Sequence, residues 1–79
     1  MDLPKAFGEV LRMYRKRAEM TQEQLGFEAG VERNYVSMLE LGQRQPTIGT
    51  LFSLASALKV RPSMLVRSLE ERFNSEQPR

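Results

Sequence analysis

Seventy-nine residues provide one domain with one hydrophobic core, and a core of that size gives only modest stability by itself. The chain has no Cys and no His, which excludes disulfides and thiolate metal sites and removes the commonest general base and zinc ligand. Twelve Lys and Arg against ten Asp and Glu leave a formal charge of only +2, so a polyanionic partner has to be met by a local patch rather than by the whole surface.

Met1–Asp2–Leu3–Pro4–Lys5 has no basic stretch followed by an apolar run, and nowhere do about 20 apolar residues occur together. Neither a signal peptide nor a membrane span is expected, and a cytoplasmic location fits the lack of Cys. Pro4 suits the first turn of a helix, where its missing N–H leaves no bond unmade. Phe7, Val10, Leu11 and Tyr14 recur at three- and four-residue spacing and predict an amphipathic helix to about Ala18. Gly8 weakens it locally by up to ~1 kcal/mol relative to Ala. Arg15, Lys16 and Arg17 close the helix where cations complement its dipole. They serve either as a solvated helix end or as phosphate contacts.

Thr21 and Gln24 form the S/T-x-x-E/Q capping box of a second helix, in which Leu25 and Ala29 share one face. Gly26 permits close helix packing, and Phe27 reads as core or edge packing. Gly30 supplies the left-handed residue that commonly ends a helix. Val31 then turns inward. Glu32 stands at the N-cap of a third helix beginning at Arg33, where its carboxylate favours the helix start.

At about 100° per residue, Arg33, Asn34, Ser37 and Met38 fall on one arc of that helix, and Val36 and Leu39 fall on the other. Tyr35 and Glu40 lie near the borders. Two helices joined by a short glycine-containing turn form a helix-turn-helix, whose second helix enters the major groove. Arg33 at the helix start can make two parallel bonds to guanine O6 and N7. Asn34 and Ser37 are base or phosphate partners. Met38 either touches a thymine methyl or packs inward, and Tyr35 either presses on the DNA backbone or covers the core.

Gly42–Gln43–Arg44–Gln45–Pro46 forms the next turn. Thr47, with Thr50 as the alternative, caps a fourth helix and can also donate to a phosphate. Leu51, Leu54, Ala55 and Leu58 form its core stripe, whereas Phe52 lies off it. Pro62 opens a fifth helix, along which Leu65, Leu69 and Phe73 recur beside Met64 and Val66. So short a chain has little core left for these residues to cover. Part of this surface is therefore expected to bury against a second copy, through Phe52, Met64, Leu65, Leu69 and Phe73. Residues 1–74 make the domain, and residues 75–79 read as a frayed polar tail.

The segments TQEQL, AGV, RNYVSMLELG, QPT and LASAL, in this order and spacing, resemble the Cro/repressor-like helix-turn-helix proteins of the XRE family. The resemblance covers roughly residues 7–66, and the compact size resembles the restriction–modification controller proteins, a subgroup of dimeric regulators. It implies an all-α, five-helix, lambda-repressor-like domain whose helices 2 and 3 form the motif. It further implies that Gln22 bonds a DNA phosphate, that Arg44 reaches phosphates or the groove, and that Arg15 and Glu40 form a structural ion pair. The expected function is that of a transcriptional regulator, a homodimer on a two-half-site operator in double-stranded DNA, with RNA polymerase as a candidate partner. The alternative is a protein-interaction module of the same fold, such as an antitoxin-like partner. No enzymatic activity, cofactor or metal is expected, since Ser and Tyr lack an evident base and the carboxylates are scattered singly.

Overall fold

A computed structural model describes residues 2–76, which form five helices: α1 (Leu3–Arg17), α2 (Gln22–Ala29), α3 (Arg33–Glu40), α4 (Ile48–Leu58) and α5 (Pro62–Glu76). Local chemistry sets most of the boundaries. Asp2, which the sequence pattern did not single out, caps α1 by accepting from the Lys5 N–H at 2.8 Å. Thr21 Oγ1 accepts from the Gln24 N–H at 3.0 Å while Gln24 Oε1 accepts from the Thr21 N–H at 2.8 Å, a complete capping box. Gly30 ends α2 with φ of 75°, a conformation glycine adopts without strain. Thr47 is the cap of α4. Glu32 is the N-cap of α3 by backbone geometry, but its side chain makes no capping hydrogen bond. The last helix continues past residue 74 to Glu76. The rest of the expected tail, residues 77–79, lies outside the described residues.

The core joins Phe7, Val10, Leu11 and Tyr14 of α1 to Leu25 of α2, Val36 and Leu39 of α3, Leu54, Ala55 and Leu58 of α4, and Leu65 of α5. Helix α1 packs on α3 and α5, α2 packs on α3 and α4, and α4 packs on α5. Each fully buried Leu or Val contributes about 1.5–3 kcal/mol relative to exposure. Two polar ties fasten α5 to α1: the Tyr14 hydroxyl lies 2.8 Å from Ser68 Oγ, and Arg72 Nη1 donates to Glu9 Oε1 at 2.6 Å.

Leu65 and Phe27 sit differently from what their place in the sequence suggests. Leu65 is completely buried within the monomer, because α5 lies over both α1 and α4 and presents this residue to them. It is not available to a second copy. Phe27, expected in the core or at its edge, is 84% exposed, because α2 turns Leu25 and Gly26 inward and Phe27 projects the other way.

Gly8 has a role beyond local weakening. A Cβ there would run into the backbone carbonyls of Leu39 and Glu40, so the bare glycine lets α1 approach the end of α3. Gly26 does the same for the turn, where a Cβ would come 2.8 Å from the Val31 carbonyl oxygen. Gly49, by contrast, has only Thr47 Oγ1 near its Cβ position, at 3.8 Å. Gly8→Ala is expected to destabilise the protein by about 1–3 kcal/mol through overpacking, despite a gain of ~1 kcal/mol in helix propensity. Gly49→Ala should retain or raise stability, and urea denaturation of the two variants measures the difference.

Candidate nucleic-acid interface

The motif consists of α2, the turn at Gly30 to Glu32, and α3. Gly26 allows the turn to pass close over α2, and the Val31 N–H donates to the Gly26 carbonyl at 2.9 Å. Val36 and Leu39 are fully buried and pin one side of α3. The opposite side begins with Arg33 and Asn34, both exposed, and continues through Ser37 and Met38, both half-buried. These four residues thus share a side that the core leaves free. Tyr35 is half-buried and packed against the core, so covering the core is one of its roles.

Arg33 lines a shallow cleft of about 350 Å³ together with Arg15, Thr21, Gln22 and Glu23. The start of α3 and the start of α2 therefore open onto one place. A helix start carries unpaired N–H groups and the positive end of the dipole, which suits an anion. Arg44 is exposed in the α3–α4 turn. Lys5, which sequence reasoning did not single out, lies against Gly42 of that turn and adds a cation beside it. Thr47 is exposed, but its hydroxyl already accepts from the Thr50 N–H and lies 3.0 Å from Thr50 Oγ1. A phosphate contact there competes with these bonds.

Behind the cleft, Arg15 and Glu40 form a fork. Arg15 Nε donates to Glu40 Oε2 at 2.6 Å and Nη2 donates to Oε1 at 3.0 Å, while Nη1 donates to the Met20 carbonyl at 2.9 Å. The two side chains are 11% and 4% exposed. The hydrogen bond to Glu40 raises the Arg15 pKa above its ordinary value; burial opposes this and the carboxylate's charge adds to it. Arg15 is thus charged throughout the working pH range. Gln22, expected to bond a phosphate, donates from Nε2 to Glu40 Oε1 at 3.1 Å, which occupies one of the two N–H donors of its amide. The basic cluster at the end of α1 therefore divides: Arg15 is buried in this network, Arg17 lies over the Tyr14 ring at 5.9 Å, and Lys16 is exposed.

Among the residues of the expected second-copy surface, Phe52 is 57% and Met64 47% exposed. Leu69 and Phe73 are half-buried. Val66, 47% exposed, shares a flank of α5 with Phe73, seven residues on.

A family model described as helix-turn-helix matches residues 11–65. The chain is 38% identical over 71 residues to the HTH-type transcriptional regulator y4dJ of Sinorhizobium fredii, covering 90% of this chain and 92% of that one. It is 37% identical over 68 residues to the control protein C.SmaI of Serratia marcescens, covering 85% and 81%. Among solved structures, the restriction-modification controller protein C.AhdI from Aeromonas hydrophila matches with a TM-score of 0.77 at 37% identity, over 78% of this chain and 94% of that chain. The wild-type controller protein C.Esp1396I matches with a TM-score of 0.84 at 26% identity, over 94% and 97%.

The chain belongs to the helix-turn-helix family of DNA-binding transcriptional regulators. Within that family it is similar to the controller proteins in sequence and in its five-helix architecture. The family is not an enzymatic one, and no helix among the described residues is long and apolar enough to cross a membrane.

Arg15→Ala leaves Glu40 buried without its partner and is expected to cost about 3–5 kcal/mol. Replacing both residues with apolar ones of similar size, Arg15→Met with Glu40→Leu, should cost less than the single truncation, because no charge is left stranded. Chemical denaturation of the three proteins orders them. A double variant less stable than Arg15→Ala contradicts this account of the pair.

Proposed function

We propose that the protein is a sequence-specific transcriptional regulator of the controller type, binding a two-half-site operator as a homodimer. The observation that carries this reading is the one-sided burial of α3: Val36 and Leu39 are held in the core while Arg33 and Asn34 stand free at its start. Arg33 reads a guanine through two parallel hydrogen bonds, Asn34 and Ser37 bond base edges or phosphate, and Met38 meets a thymine methyl. Arg44, Tyr35, Thr47 and the α2 start at Gln22 hold the sugar–phosphate backbone and supply the salt-dependent part of the affinity. This division of labour follows from chemistry: phosphates fix the register and base edges choose the sequence.

The second copy packs against Phe52, Met64, Leu69 and Phe73. Two-fold symmetry then sets the two recognition helices about 34 Å apart, one turn of B-DNA. A small protein with exposed aromatic and thioether groups on its last helices gains stability from such burial. A DNA-binding role fits a location in the cytoplasm. RNA polymerase enters as a partner if the bound dimer activates, and in vitro transcription from the operator separates that outcome from repression.

Arg33→Ala is expected to cost about 1–3 kcal/mol on the operator and to relax the preference at one base pair per half-site. Equal losses on operator and random duplex, read by anisotropy titration, contradict its role in base reading. Phe52→Glu should give a monomer by light scattering and lower operator affinity while leaving the helical circular dichroism intact. A Phe52→Glu protein that remains dimeric removes Phe52 from the interface.

A further inference from the structure

We infer that Glu40 is a positioning residue for the DNA contact of α2, holding the Gln22 side chain in the orientation from which it meets a phosphate. This inference rests on the operator-binding reading of the same face and assigns part of that contact to a residue that touches no DNA.

Glu40 sits at the last position of α3 with its side chain 4% exposed. Its carboxylate is divided between two partners on different helices. Oε2 takes the Arg15 Nε–H, and Oε1 takes both an Arg15 Nη2–H and a Gln22 Nε2–H. Gln22 is the first residue of α2, directly after the cap Thr21. Arg15 meanwhile holds the Met20 carbonyl, on the other side of that cap. The start of α2 is therefore gripped on both sides by one ion pair: the backbone before the cap by Arg15, and the side chain after it by Glu40.

A glutamine side chain that is free in solution has to be ordered before it can bond a phosphate, which costs conformational entropy. The amide carries two N–H donors, and Glu40 uses one of them. That bond restrains the side chain and leaves its other donor uncommitted, in a residue that lines the cleft with Thr21, Glu23 and Arg33. A lone carboxylate so near a phosphate would repel it. The Arg15 guanidinium, bound at 2.6 and 3.0 Å, neutralises that charge in place. Glu40 thus orients a donor without opposing the anion that the donor meets.

The test is a double-mutant cycle on operator affinity with Gln22→Ala and Glu40→Gln, each checked for folding by circular dichroism, together with side-chain amide NMR of the unaltered protein. Gln22→Ala should weaken binding about fivefold, the effect of one hydrogen bond. Folded Glu40→Gln should weaken it by a similar factor, and the double variant should be no weaker than Gln22→Ala alone. In the DNA-free protein, the Gln22 side-chain amide should be as rigid as its backbone by heteronuclear relaxation. Losses that multiply, a folded Glu40→Gln protein with unaltered affinity, or a motionally averaged Gln22 amide each overturn the inference. If Glu40→Gln does not fold, the relaxation measurement decides, since it needs neither variant nor DNA. An unaltered protein that binds no operator at all defeats the proposed function instead, whatever the state of the amide.

Discussion

The Arg15–Glu40 pair joins three helices at one point, and the geometry of the DNA-facing side depends on it. Arg15 comes from the end of α1 and Glu40 from the end of α3, and the same pair reaches the start of α2 through Met20 and Gln22. Hydrophobic contact is non-directional, so packing alone leaves α2 and α3 free to slide by small amounts against α1. A forked guanidinium–carboxylate pair has a definite direction and fixes that freedom. Every donor of Arg15 that faces inward finds an acceptor, and no buried polar side-chain atom among the described residues lacks a partner. The pair is therefore compatible with its burial, and its contribution lies more in fixing one arrangement than in net stability.

Two glycines complete the same constraint from the steric side. Gly8 brings α1 against the carbonyls at the end of α3, which is also where Glu40 sits. Gly26 brings the turn against α2. The recognition helix is thus located at its beginning by a close backbone approach, along its length by Val36 and Leu39, and at its end by an ion pair. What remains of its surface, Arg33, Asn34, Ser37 and Met38, lies outside the core. On the proposed reading, this anchoring sets Arg33 and Asn34 for a groove of fixed width, the requirement for reading base edges.

Features governed by a few neighbouring residues were legible in the sequence. The Thr21–Gln24 box, the helix stop at Gly30, the cap at Thr47 and the opening of α5 at Pro62 all rest on residues within four positions of one another. Asp2 rests on equally local chemistry, but the Pro4 that follows it is by itself enough to mark a helix start. Helical periodicity also separated the buried from the free side of α3. Features set by distant packing were not legible. The stripe Leu65, Leu69, Phe73 gives no sign of which member the core consumes, because that depends on how α5 crosses α1 and α4. Phe27 looks like core material by type, yet the neighbouring Leu25 and Gly26 already fill the inward side of α2. The second partner of Glu40 was missed because Gln22 is eighteen residues away in the chain, and the resemblance suggested only the arginine.

On the proposed reading, the free side of α3, doubled by symmetry, reads a defined pair of half-sites. Selection of bound duplexes from a random-sequence pool, followed by hydroxyl-radical footprinting of the enriched sequence, tests it most directly. Enrichment of an inverted repeat is expected, with protection in two patches whose centres lie about one helical turn, or ~34 Å, apart. A pool that stays random at low ionic strength, or a protected tract without two-fold symmetry, contradicts it.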